Sequence, residues 1–97
     1  MLHTINKSPF SSDSLEHALR CVQANDPLLL IEDGVLAAQA GSKFESALTG
    51  AMNNNPVYAL AGDLAARGIR RVVEGVTQID YDGFVELVET HQVNAWL

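Results

Sequence analysis

Cys21 is the only cysteine of the chain and hence its only sulfur nucleophile, and His17 stands four residues before it, close enough on a helix to touch it. This pair makes Cys21 the candidate sulfur carrier. Two features argue against strong activation. Cys21 falls near the C-terminal end of the expected helix, where the dipole disfavours a thiolate, and it lies about 120° from the middle of the apolar stripe. The expectation is a weakly reactive, half-buried thiol. A lone cysteine also forms no internal disulfide, no thiolate zinc site and no Cys-X-X-Cys redox pair.

Other residues offer less. His3 and His91 are single histidines on a strand and on an apolar helical stripe, where a packed, hydrogen-bonded role is the ordinary one. Glu32 and Asp33 could pair as acid and base or bind magnesium, but neighbouring residues on a strand point apart, so Asp33-Gly34 is expected to form a turn and cap the next helix. Arg67, Arg70 and Arg71 are the one local excess of positive charge, read as helix-end charges in water or as a contact for an acidic partner. Tyr58 and Trp96 are either anchors for a partner or fillers of a core short of aromatics. No catalytic set, metal site or cofactor site emerges.

The elements that would position these groups alternate between strand and helix. Leu2 to Ile5 is a strand closed by the turn-forming Asn6-Lys7-Ser8-Pro9. Asp13 and Glu16 form a capping box for a helix over 13–23, with Leu15, Ala18, Leu19 and Val22 on one stripe. Asn25-Asp26-Pro27 breaks it. Leu28 to Ile31, apolar throughout, predicts a central strand covered on both faces. Val35 to Ala40 is a short Ala-rich helix, and Ser42 with Glu45 offers a capping box for 43–48. After the loop Asn53-Asn54-Asn55-Pro56, Val57 to Leu60 is a third strand, and Asp63 caps a small helix that Gly68 stops. Val76 to Tyr81 is a fourth strand. Asp82 caps a last helix with Phe84, Leu87, Val88 and His91 on one stripe; the segment Val93 to Leu97 can add an edge strand, and its apolar end Ala95-Trp96-Leu97 must be tucked away.

This order predicts one α/β domain over 1–97: a small doubly wound, mostly parallel sheet with helices on both faces. Such a sheet takes ligands at the carboxyl ends of its strands. That rim carries Glu32, Asp33, Asp63, Asp80 and Asp82 against Lys7, and it lacks a glycine-rich or Walker loop, so phosphate and nucleotide binding are not expected.

The 97 residues carry a formal net charge of −6, the wrong sign for a broad nucleic-acid footprint. No apolar run is long enough to span a membrane and no signal-peptide pattern opens the chain, so the cytoplasm is the expected location. A domain this small buries only roughly two-thirds of its unfolded surface, and further burial against a partner would stabilise it.

Several stretches together resemble the TusB/DsrH family of sulfur-relay proteins: Leu2-His3-Thr4-Ile5-Asn6-Lys7-Ser8-Pro9-Phe10, Glu32-Asp33-Gly34-Val35 with Ala37-Ala38, and Tyr58-Ala59-Leu60 with Asp63-Leu64 and Ala66-Arg67-Gly68. Asp80-Tyr81, Phe84-Val85 and Ala95-Trp96-Leu97 complete the pattern. The resemblance implies a flavodoxin-like (DsrE-like) fold that joins TusC-like and TusD-like sister subunits in a dimer of heterotrimers, the TusD-like sister carrying the persulfide. In the tRNA version, sulfur passes from a TusA-like donor through the complex to a TusE-like acceptor and on to 2-thiouridine at the wobble position. In the DsrEFH version the architecture serves sulfur oxidation. Sulfur-oxidising members place a cysteine just after a Leu-Glu-X start to the first helix, and that position here is Ala18, following Leu15-Glu16-His17. The resemblance therefore implies a TusB-like subunit, non-catalytic, with the DsrH-like role in sulfur oxidation or a persulfide carrier at Cys21 as alternatives.

Overall fold

The computed structural model describes residues 1–97. Five parallel strands, β1 (Leu2–Ile5), β2 (Leu28–Leu30), β3 (Val57–Leu60), β4 (Thr77–Ile79) and β5 (Val93–Trp96), form one sheet in the order β4-β3-β2-β1-β5. Between them run α1 (Ser14–Cys21), a 3-10 helix (Glu32–Ala38), α2 (Glu45–Ala51), α3 (Ala61–Ala66) and α4 (Tyr81–Thr90). The path from β1 to β4 steps one way across the sheet. The last connection returns past β1, so right-handed crossovers place α4 on the face opposite the other helices. The doubly wound α/β fold is as the sequence predicts, and the sheet is wholly parallel.

Alternation along the strands divides the core. Ile5, Leu28, Leu30, Val57 and Ala59 face α1, α2 and α3, packing on Leu15, Ala18, Val35, Leu48 and Leu64. Leu2, Thr4, Leu29 and Tyr58 occupy the other face, with α4. All three leucines of β2 are fully buried, as expected of a central parallel strand, each contributing roughly 2 kcal/mol.

Two glycines are required by geometry. Gly68, at φ +67°, ends α3 in a Schellman motif: its N–H donates to the Ala65 carbonyl at 3.1 Å and the Ile69 N–H to Leu64 at 3.0 Å. Gly34 lies against the end of β1, where a Cβ would stand 2.0 Å from the Ile5 carbonyl oxygen.

Several helix starts differ from expectation, because side chains find partners outside their own turn. Asp13 makes no capping hydrogen bond; the Ser12 hydroxyl accepts from the Ser14 N–H instead, and α1 is shorter than 13–23. The box at Ser42 and Glu45 forms one residue out of register, with Ser42 Oγ accepting from the Phe44 N–H and Glu45 Oε1 from the Gly41 N–H. The short helix begins at Glu32 and is 3-10, without a cap from Asp33. Asp80 rather than Asp82 caps α4, accepting from the Gly83 N–H at 2.9 Å, so Tyr81 belongs to the helix and not to β4. No helix is long and apolar enough to cross a membrane.

Candidate functional site

Cys21 closes α1 as a free, exposed thiol, not the half-buried one expected. The apolar stripe turns Leu15 and Ala18 into the core, and Cys21, about 120° from the middle of that stripe, falls on the outward side of the helix. His17, one turn earlier, is exposed as well. The thiol also lies outside the nearby clefts. One, of about 550 Å³, is lined by Pro9, Phe10, Leu15, Leu19, Lys43 and Phe44 among others; the adjoining groove, of about 370 Å³, runs along Leu19, Val22, Ala47 and Ala51. In the first, Phe10 meets Phe44 edge-on at 5.1 Å and the Lys43 ammonium sits 5.3 Å above the Phe44 ring. Its aromatic and cationic lining gives Cys21 no partner.

At the carboxyl ends of the strands, part of the acidic charge is paired inside the chain. Arg67, where α3 ends, donates from Nε to Asp33 Oδ1 at 2.9 Å and from Nη1 to the Asp63 carbonyl oxygen at 3.2 Å. Asp63 neither caps α3 nor faces solvent alone: its Oδ2 accepts from the Glu32 N–H at 2.6 Å, holding that residue at φ +50°. Thus Asp63 supplies the partner for the first N–H of the 3-10 helix, from 31 residues away. Arg67 is therefore committed inside the chain and is neither a solvated helix-end charge nor a free contact. Arg70 and Arg71 remain exposed. Glu32 and Asp33 do not converge as an acid and base, and no group of three or more His, Cys, Asp or Glu side chains gathers to hold a metal ion.

A third constellation joins the chain's two ends. Trp96 Nε1 donates to His3 Nδ1 at 3.1 Å, which leaves the ring proton on Nε2, and Nε2 donates to Asp26 Oδ2 at 3.1 Å. Asp26 also accepts from the Gln23 N–H and from the N-terminal ammonium. The hydrogen bond from His3 is the largest influence holding the Asp26 carboxyl below its ordinary value of 3.8; burial opposes it, and the Gln23 N–H and the N-terminal charge reinforce it. With His3 buried at 4% exposure, this Trp-His-Asp chain ties β5 and β1 to the β2 approach. Trp96 thus fills the core, whereas Leu97 beyond it is 84% exposed and not tucked away. His91 is likewise engaged, its Nδ1 lying 3.0 Å from the Leu87 carbonyl oxygen. Tyr58, half-buried, lies under α4 beside Ile79 and Leu87. Nothing local in the sequence announces the Asp63–Glu32 or Trp96–His3 partnerships.

The geometry therefore presents an exposed thiol without a built site, on a well-packed scaffold. The family model described as DsrH like protein matches residues 7–94. Protein TusB of Escherichia coli O81 (strain ED1a) is 41% identical over 98 residues, covering 99% of this chain and all of the relative, and protein TusB of Serratia proteamaculans (strain 568) is 44% identical over 95 residues, covering 95% of each. Among solved structures, the ychN protein from E. coli superposes with a TM-score of 0.80 at 21% identity, covering 97% of both chains; protein MTH1491 from Methanobacterium thermoautotrophicum does so with a TM-score of 0.68 at 13% identity, covering 97% of this chain and 95% of that one. These two likenesses bear on the fold alone. Matched nearly end to end by the family model and by curated TusB sequences, the chain belongs to the TusB/DsrH family of sulfur-relay proteins.

Proposed function

We propose that this chain, working as one domain over 1–97, is a non-catalytic subunit of a cytoplasmic, TusBCD-like heterohexamer that passes persulfide sulfur toward 2-thiolation of the tRNA wobble uridine. Its partners are TusC-like and TusD-like sisters, in a dimer of heterotrimers, with a TusA-like donor and a TusE-like acceptor acting on the complex. The observation that carries the non-catalytic part is the setting of Cys21: an exposed thiol at the C-terminal end of α1, outside the adjoining clefts. A sulfur carrier needs a thiolate stabilised by a cation or a helix N-terminus, and a cavity that shields the persulfide. At the strand ends, Arg67 is held by Asp33 and Asp63.

The test is complementation of a deletion strain. Cys21→Ser should restore 2-thiouridine in tRNA to the wild-type level, measured by nucleoside mass spectrometry. A large loss of thiolation, with the complex intact, would refute the non-catalytic reading. The exposure of the thiol favours a second reading, in which Cys21 carries persulfide with help from His17. Alkylation kinetics separate the two, since a carrier should react much faster at neutral pH than free cysteine.

A further inference from the structure

α4 is the one α-helix that buries no residue, although Phe84, Val85, Leu87 and Val88 are all apolar. Its inner side, through Leu87 and the backbone at Gly83, rests on Tyr58 and Ile79. Tyr81, Val85 and Val88 recur at the i, i+4, i+7 spacing of a second stripe. Tyr81 is 69% exposed and Val88 37%. α4 lies on the sheet face that carries Leu2, Thr4, Leu29 and Tyr58. On that face Leu2 and Leu29 are wholly buried, but the next strand, β5, leaves Val93 and Ala95 exposed, and Leu97 just beyond the strand is exposed too.

β5 is also an edge strand, paired to β1 on one side and open on the other. Exposed edges are normally guarded by a lysine, a proline or a bulge. The segment Val93-Asn94-Ala95-Trp96-Leu97 has no charge and no proline. The surrounding charge is one-sided. Residues 72–97 hold Glu74, Asp80, Asp82, Glu86 and Glu89 and no lysine or arginine, so nearly all of the net charge of −6 belongs to this stretch.

We propose that the outer stripe of α4 and the open face of β5 form one docking surface for a non-identical protein chain whose contact patch is apolar and rimmed by lysine or arginine. A second copy of this chain fits poorly, because two-fold pairing through this face sets one acidic rim against another. The proposal rests on the heteromeric reading above and assigns it a surface.

The experiment uses the chain co-expressed with its TusC-like and TusD-like sisters, read by native mass spectrometry and by hydrogen–deuterium exchange. Val88→Asp and Val93→Asp should each lower the heteromer fraction at least about tenfold, while far-UV circular dichroism and the melting curve stay as in wild type. Ala47→Asp, an exposed position in the groove along α1 and α2, should leave assembly intact. Glu86→Lys combined with Glu89→Lys should weaken association at low salt and flatten its salt dependence. Amides of 81–97 should gain protection in the wild-type complex. Should either aspartate variant fail to fold, this exchange map and the double lysine variant decide the question.

If the heteromer forms undiminished in the variants and protection appears elsewhere, the surface assignment is wrong while the heteromeric reading stands. If the wild-type chain forms no heteromer with the sisters, both fall. If sedimentation shows the chain alone as a dimer that Val93→Asp dissociates, the occupant is a second copy and the proposal is overturned.

Discussion

Gly34→Ala puts the packing account to its most direct test. An added Cβ would stand 2.0 Å from the Ile5 carbonyl oxygen and 2.9 Å from its carbon, whereas ordinary contact begins at 3.4 Å. The backbones would have to part by about 1.4 Å. Neither can yield cheaply: Ile5 is 1% exposed in the middle of the core, and its carbonyl already accepts from the Ile31 N–H at 3.1 Å. Overpacking costs roughly 1–3 kcal/mol, and straining that hydrogen bond about 1 kcal/mol more, so a loss of about 3 kcal/mol is expected. In a domain of this length, that lowers the melting temperature by roughly 12–24 °C. Thermal denaturation followed by far-UV circular dichroism measures it. The matched control is Gly62→Ala in α3, where a Cβ meets nothing within 4 Å and helix propensity favours alanine by up to about 1 kcal/mol. If Gly34→Ala melted together with wild type, the close approach of the 3-10 helix to β1 would be mistaken.

Two further outcomes follow from the Trp-His-Asp chain. Because the Asp26 carboxyl is held below its ordinary value of 3.8 in the folded state, its contribution to stability is present above that value and disappears as pH falls through the lower, folded value. Asp26→Asn should therefore be less stable than wild type at neutral pH and show a flatter decline under acid, in urea titrations run across the acid range; an unchanged acid slope would contradict the linkage. Trp96→Phe keeps the packing ring but leaves His3 Nδ1 without its donor, at a cost of about 1–2 kcal/mol by urea denaturation. Wild-type stability in that variant would mean the hydrogen bond contributes nothing.

The strands were the most legible part of the fold. Val57–Leu60 and Leu2–Ile5 occupy the positions their apolar, turn-bounded runs predict, and the triple leucine of β2 marks the central strand because a parallel sheet with helices on both faces buries both sides of it. Gly68 gave away the end of α3, since few other residues adopt its φ at low cost. The caps were not legible. Asp33, Asp63 and Asp82 each sit where a local rule assigns a cap, yet a carboxylate takes the best donor in space, which for Asp63 is an N–H in another element. The exposure of Cys21 was underestimated because its position, about 120° from the middle of the apolar stripe, already turns the side chain away from the core on a helix that ends there. The arrangement around Arg67 could not be read either, because residues 33 and 67 become neighbours only after β2 and β3 pair.

Native mass spectrometry of the chain co-expressed with its TusC-like and TusD-like sisters examines the account at its centre. Two copies of each of the three polypeptides in one particle is the predicted mass. A persistent monomer, or a homo-oligomer that ignores both sisters, would contradict it.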